Sequence, residues 1–138
     1  MCKIDLAKIK FDILSTNNVY KCIAKYKDTE VCKCQISANK ALWTISSWYT
    51  HKDFLNQGIG TKTLKFLVAF LYNKFGTPQS IEYIWNGTNY YVYEWIESKF
   101  DAISTCPIAV QKTQCEDDWS SHIYNLKVKK VIEYFIAK

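Results

Sequence analysis

An α+β domain built on one mixed sheet is the fold class that the sequence predicts, and three observations carry it. Four segments ahead of residue 51 alternate apolar and polar residues with a period of two. At Gly58-Ile59-Gly60 the period switches, and Leu64, Leu67, Val68 and Leu71 recur at helical spacing. Beyond Pro78, strand-like and helix-like stretches alternate again. The predicted order is β-β-β-β-α-β-α-β-β, and residues 1–138 read as a single domain long enough to bury a core.

Ile9, Phe11 and Ile13 alternate with Lys8, Lys10 and Asp12 as a first strand, and Ser15-Thr16-Asn17-Asn18 is a turn signal. Val19–Tyr26 and Val31–Ile36, separated by Lys27-Asp28-Thr29-Glu30, read as a hairpin. In the fourth strand, strict alternation puts Trp43, Ile45, Ser47 and Tyr49 on one face and Thr44, Ser46, Trp48 and Thr50 on the other. A polar turn follows at His51-Lys52-Asp53. The first helix is predicted from about Thr61 to Phe75, where Gly76 offers a left-handed stop and Pro78 forbids continuation. Ile81, Tyr83 and Trp85 alternate as a fifth strand, Asn86-Gly87-Thr88-Asn89 turns, and a second helix covers about Tyr90 to Lys99. Ala102–Val110 and His122–Val128 read as two more strands, with Pro107 marking an edge or a bulge. Val131–Ala137 fits either a strand continuation or a short amphipathic helix.

Composition narrows the function classes. Hydrophobic residues make up 49% and charged residues 22%, an ordinary globular balance. The net charge is +5, and all 18 basic residues are lysines. Reading DNA bases or gripping phosphate in a bidentate fork normally calls for arginine, so general attraction to anions is favoured over sequence-specific nucleic-acid recognition. A lysine- and aromatic-rich anion or nucleic-acid binder ranks last among the readings. The N-terminus has no basic–apolar–small leader pattern, which predicts a cytoplasmic, reducing setting with free thiols among Cys2, Cys22, Cys32, Cys34, Cys106 and Cys115. Cys32 and Cys34 share one face of a strand, but no second closely spaced Cys or His pair completes a metal site. The longest apolar run, Phe66–Tyr72, is too short to span a bilayer, so no membrane partner is expected.

A strand, a glycine loop and a helix together hold phosphates, because glycine lets the backbone approach and the first helical N–H groups attract anions. Gly60-Thr61-Lys62-Thr63 inserts a threonine into the P-loop ending, and Thr63 stands where a dinucleotide fingerprint needs its third glycine. Thr50-His51-Lys52-Asp53-Phe54-Leu55-Asn56-Gln57-Gly58-Ile59-Gly60-Thr61 instead resembles motif A of the GNAT N-acetyltransferase superfamily. In that family an Arg/Gln-x-x-Gly-x-Gly/Ala loop joins the fourth strand to a long helix. The resemblance extends for about sixty residues, to Phe100. Two departures stand out. Leu55 occupies the Arg/Gln position, and the start of the chain is too short for the two helices that the family usually places after its first strand to wall the acceptor site. The acceptor side is then open, or completed by a partner subunit in a homodimer.

The resemblance implies transfer of the acetyl group of acetyl-CoA to a primary amine by direct attack on the thioester, with no metal. It places the donor against Trp48, Tyr49, Thr50, Leu55, Asn56, Gln57, Gly58, Ile59, Gly60, Thr61, Lys62 and Asn89. The loop amides would take the pyrophosphate, and the backbone of Trp48–Thr50 would pair with the pantetheine arm. Family members often protonate the leaving thiolate with a tyrosine. Counting from Asn86 puts Tyr93 at that position, while counting from Asn89 puts Ile96 there, and only Tyr93 offers a hydroxyl. Glu82 is the first candidate base, with His51 as the other candidate and Asp53 as a turn cap. The alternative is a CoA-binding module of the same fold without turnover.

Overall fold

The computed structural model describes residues 5–54, 57–85, 99–100, 103–104 and 122–136. Seven strands form one sheet: β1 (Lys10–Thr16), β2 (Val19–Tyr26), β3 (Thr29–Ala38), β4 (Leu42–Thr50), β5 (Ser80–Trp85), β6 (Ile103–Ser104) and β7 (His122–Leu126). Their spatial order is β1-β2-β3-β4-β5-β7-β6. Helix α1 (Ile59–Phe75) crosses from β4 to β5, and α2 (Val128–Phe135) closes the chain. The predicted mixed sheet is therefore observed: β4 and β5 run parallel, and the other pairs are antiparallel.

The first four strands form a meander with very short turns. Asn17 and Asn18 connect β1 to β2, and Lys27 and Asp28 connect β2 to β3, all four with positive φ. That is the backbone that matches the right-handed twist of paired strands, and asparagine and aspartate tolerate it best among residues with a side chain. Ser15 and Thr16, predicted as turn, pair with Tyr20 and Val19 and extend β1. No room remains between β1 and β2 for a pair of helices.

One sheet face carries the core. Tyr20, Cys22, Cys34, Ile36, Trp43, Ile45, Ile81 and Tyr83 pack against Leu64, Leu67, Val68 and Leu71 of α1 and against Val131 and Phe135 of α2. Gly76, at φ 77°, ends α1 as the sequence predicts, and its N–H donates to the Tyr72 carbonyl at 2.8 Å. Cys32 and Cys34 are both buried on this face while Lys33 between them is not, as their alternation requires.

One open alternative is decided, one expectation lies mostly outside the described residues, and one is corrected. The C-terminal segment is the helical alternative: Val128, Val131, Ile132 and Phe135 repeat at i, i+3, i+4 and i+7, and Val128 starts α2 instead of ending β7. Only Ile103 and Ser104 of the predicted Ala102–Val110 strand are described as strand, and residues 105–110 lie outside the described set. Strict alternation in β4 fails. Gln35 pairs with Ser47 but Ile36 pairs with Ile45, so Ser46 is an extra residue in a β-bulge. The bulge moves Trp48 and Thr50 to the face of Trp43 and Ile45, and leaves Tyr49, 53% exposed, pointing away. Gln35 secures it, its side-chain amide donating to Ser46 Oγ at 3.2 Å.

Burial also fixes an alkaline limit. The Cys22 thiol is pushed from 9.0 up to about 12, chiefly by burial, and the Tyr83 hydroxyl is pushed from 10.0 to about 12 by burial. The unfolded chain releases these protons earlier than the folded one. Their contribution to stability is thus complete below about pH 9 and is lost as pH rises towards about 12. Urea midpoints measured from pH 8 to 11 should fall steadily above pH 9, and Cys22→Ala should flatten that slope while lowering the starting midpoint.

Candidate functional site

β4 and β5 pair only from Leu42/Ser80 to Ile45/Tyr83. Past that point β4 continues to Thr50 beside β3, while β5 continues to Trp85 beside β7. The parallel strands separate just where the bulge bends β4. Beyond Ile45 the β5-facing backbone edge of β4 therefore no longer pairs with β5.

At the end of β4 the chain turns sharply. The His51 N–H donates to the Val31 carbonyl at 2.8 Å, and Lys52–Phe54 form a single 3-10 turn. A small apolar cluster of Ile9, Ala24, Val31, Cys32 and Ile59 lies beneath, with Leu6 and Phe54 at its margin. Val31 and Cys32 are both buried because a second irregularity pairs Ala24 with Cys32 but Lys25 with Glu30, leaving Val31 extra. This cluster anchors Ile59, the first residue of α1, and so fixes where the helix begins.

The two glycines of the loop are required for different reasons. Gly58 has φ 81° and acts as the N-cap of α1. A Cβ there would meet nothing closer than Leu6 Cδ1 at 3.9 Å, so the constraint lies in the backbone. Gly60 is already helical, and its constraint is space: a Cβ would sit 3.1 Å from Thr50 Oγ1 and 3.4 Å from Trp48 Nε1. The Trp48 Nε1–H donates to the Gly60 carbonyl at 3.0 Å. Thr50 is held in turn, its hydroxyl donating to Cys32 Sγ at 3.4 Å. Burial pushes the Cys32 thiol up, against the lowering effect of its hydrogen bond from Thr50. Thr63 is fully buried and its hydroxyl donates to the Ile59 carbonyl at 2.7 Å. Sequence reasoning missed Thr63 as a contact residue. Its signal was a β-branched polar residue on the apolar stripe of α1.

The result is an open helix start. The first i→i−4 bond of α1 runs from Lys62 N–H to the Gly58 carbonyl at 3.1 Å. The amides of Ile59, Gly60 and Thr61 precede it, at the end of the helix where the i→i−4 ladder has not yet begun. Gly58 supplies no side-chain cap, and the first turn holds no acidic residue. Both features leave the positive end of the helix dipole uncompensated by the first turn's own side chains.

The remaining predicted residues divide. Trp48, Thr50, Gly58, Ile59, Gly60, Thr61 and Lys62 gather where β4 meets α1, with Gln57 beside them in sequence and half-buried. Glu82 pairs between Thr44 and Asn125 and alternates with buried Ile81 and Tyr83, on the sheet face away from α1. His51 Nδ1 accepts the Asp53 N–H at 3.2 Å. The 3.7 Å approach to Asp53 Oδ2 is longer and would need a proton on that same nitrogen, so the turn hydrogen bond defines its role. Leu55, Asn56, Asn89, Tyr93 and Ile96 lie outside the described residues. No group of three or more potential metal ligands occurs among the described residues, and no helix among them is long and apolar enough to cross a membrane.

No protein-family model matches the sequence, and no curated protein matches it. Solved structures do. The PaiA N-acetyltransferase of Thermoplasma acidophilum, in complex with coenzyme A, superposes with a TM-score of 0.60 at 11% identity, over 80% of this chain and 61% of its own. A GNAT family acetyltransferase from Elizabethkingia anophelis with acetyl-CoA bound gives 0.62 at 14% identity, over 86% and 96%. An aminoglycoside acetyltransferase from an uncultured soil metagenomic sample, in complex with sisomicin, gives 0.52 at 19%, over 62% and 59%. The chain thus spans under two thirds of the first and third of these proteins and nearly all of the second. At these identities the likeness shows the fold: this chain has the GNAT fold, in a short form whose first two strands are joined by a two-residue turn.

The crowding at Gly60 gives a measurable coupling. Gly60→Ala should destabilise the protein by about 1 kcal/mol despite alanine's better helix propensity, because the Thr50 hydroxyl cannot yield without leaving Cys32. In a Thr50→Ala background the same substitution should become neutral or stabilising. A urea double-mutant cycle with no coupling would contradict the packing described.

Proposed function

We propose that the protein is an acetyl-CoA-dependent N-acetyltransferase acting on a primary amine. The observation that carries this reading is the uncapped, glycine-lined start of α1 placed at the point where β4 leaves β5. Amides of Gly58 to Thr61 suit a diphosphate, and the β4 edge that β5 leaves at Trp48–Thr50 suits an amide-bearing chain that pairs like an extra strand. Asn89, Leu55 and Asn56 complete the donor set in this reading.

In the reaction the neutral amine attacks the thioester carbon, the C–S bond breaks, the amine loses a proton and the coenzyme A thiolate gains one. A backbone N–H of β4 is the simplest donor to the developing oxyanion, being fixed in place before the charge appears. Tyr93 is the proposed proton donor to the thiolate. Glu82 is the proposed base, acting through water because its strand position is on the face away from α1. A second copy of the chain closing the acceptor side belongs to the same proposal, since only a turn separates β1 from β2.

The engagement of His51 by its own turn and the placement of Glu82 favour one further reading, a CoA-binding module without turnover. The two part on release of free thiol across a panel of amines.

Millimolar acetyl-CoA should raise the thermal unfolding midpoint. Gly60→Glu should abolish the shift through bulk and like charge at the anion site. Lys74→Glu, at the far end of the same helix, changes the net charge twice as much and should leave the shift intact. An unshifted wild-type protein would refute the proposal, and equal loss in both variants would reduce the loop's role to bulk electrostatics.

A further inference from the structure

Trp48 was read from the sequence as a stretch of backbone beside the pantetheine, but the bulge at Ser46 turns its indole toward α1 instead. Its Nε1–H meets the Gly60 carbonyl at 3.0 Å. That carbonyl is also the acceptor for the helical amide four residues on, so two donors converge on one oxygen. In a trans peptide the carbonyl and the following N–H point in opposite directions. Holding the Gly60 oxygen toward the sheet therefore aims the Thr61 N–H outward, at the open end of the helix. Drawing electron density onto that oxygen also strengthens the same peptide's N–H as a donor. Burial alone does not explain the contact, because the other tryptophan of β4, Trp43, is 1% exposed and its Nε1 has no partner among the described residues.

We propose that Trp48 is a positioning residue for the anion-binding loop, its indole N–H orienting and polarising the Gly60–Thr61 peptide toward a bound diphosphate. This rests on the acyl-CoA reading of the same site. It assigns to a side chain part of the grip that the family's motif takes from the residue now replaced by Leu55. The close approach it needs is also what excludes a side chain at Gly60: the indole nitrogen would lie 3.4 Å from a Cβ there.

The test compares wild-type protein with Trp48→Phe and with a protein carrying benzothienylalanine at position 48, which keeps the bicyclic shape and replaces N–H by sulfur. Affinities for coenzyme A, 3′-phospho-ADP and pantetheine are measured by calorimetry. Loss of the one hydrogen bond should weaken coenzyme A and 3′-phospho-ADP by about five-fold in both variants, and leave pantetheine unchanged. A purely packing role predicts wild-type affinities in the benzothienylalanine protein, and that result overturns the proposal even if Trp48→Phe folds poorly. Equal weakening of all three ligands overturns it as well. If wild-type protein binds neither coenzyme A nor 3′-phospho-ADP, the acyl-CoA reading fails and this role with it. Wild-type binding with unchanged variants removes only the role of Trp48.

Discussion

The close approach of α1 to the end of β4 is the contact on which the rest of the architecture depends. An ordinary helix–sheet packing keeps side chains between the two backbones. At Gly60 the helix contributes none, and the hydroxyl of Thr50 and the indole of Trp48 come within 3.1 and 3.4 Å of where a Cβ would sit. The helix must then start at the sheet itself, so its first amides lie directly beside the strand edge that β5 has left. Moving the helix outward by one side chain would preserve the fold and separate the two halves of the site. Cys32, Thr63 and the cluster beneath Ile59 make that movement costly, since all are buried and two of the contacts are hydrogen bonds between groups with few other partners.

That constraint also accounts for how a chain with no arginine could hold the proposed diphosphate. Lysine is a mobile point charge and holds no fixed geometry around phosphate. Here the geometry comes from peptide groups locked by the loop, with lysines such as Lys62 adding general attraction on the exposed face of the helix. Backbone donors are pre-organised and do not titrate. The open N-terminus has no acidic residue in its first turn to compete with a ligand.

Much of this was legible in the sequence wherever a single period governs a segment. The meander, α1 and its stop at Gly76 follow from alternation, helical spacing and glycine, and the loop followed from the coincidence of these signals at Gly58 and Gly60. The face assignment of β4 did not. A bulge depends on how two strands pair, and nothing local in Thr44-Ile45-Ser46-Ser47-Trp48 marks which serine is extra. The consequence is large, because one inserted residue moves every later side chain to the opposite face. The C-terminal helix was ambiguous for a different reason: eight residues give barely two turns, and Val and Ile favour strands as readily as their spacing favours a helix.

The far face of the sheet argues that the absent helices are not a missing layer of core. On β1–β3 it carries Lys10, Asp12, Lys21, Lys25, Lys33, Gln35 and Ser37, with Leu14, Val19 and Ile23 as its apolar members. Its ion pairs, Lys25–Asp12 and Lys33–Glu30 at 3.9 Å each, are half-exposed and contribute little. Such a surface is stable in water and would gain little by burial under a helix. The two-residue turn at Asn17-Asn18 and this polar face are therefore consistent adaptations of one another. With no helix between β1 and β2, the sheet face has the composition of a solvated surface. Under the proposed acetyl transfer, selection of an acceptor would then fall to whatever approaches the strand gap from outside the meander, while the Gly60 contact would fix the donor end.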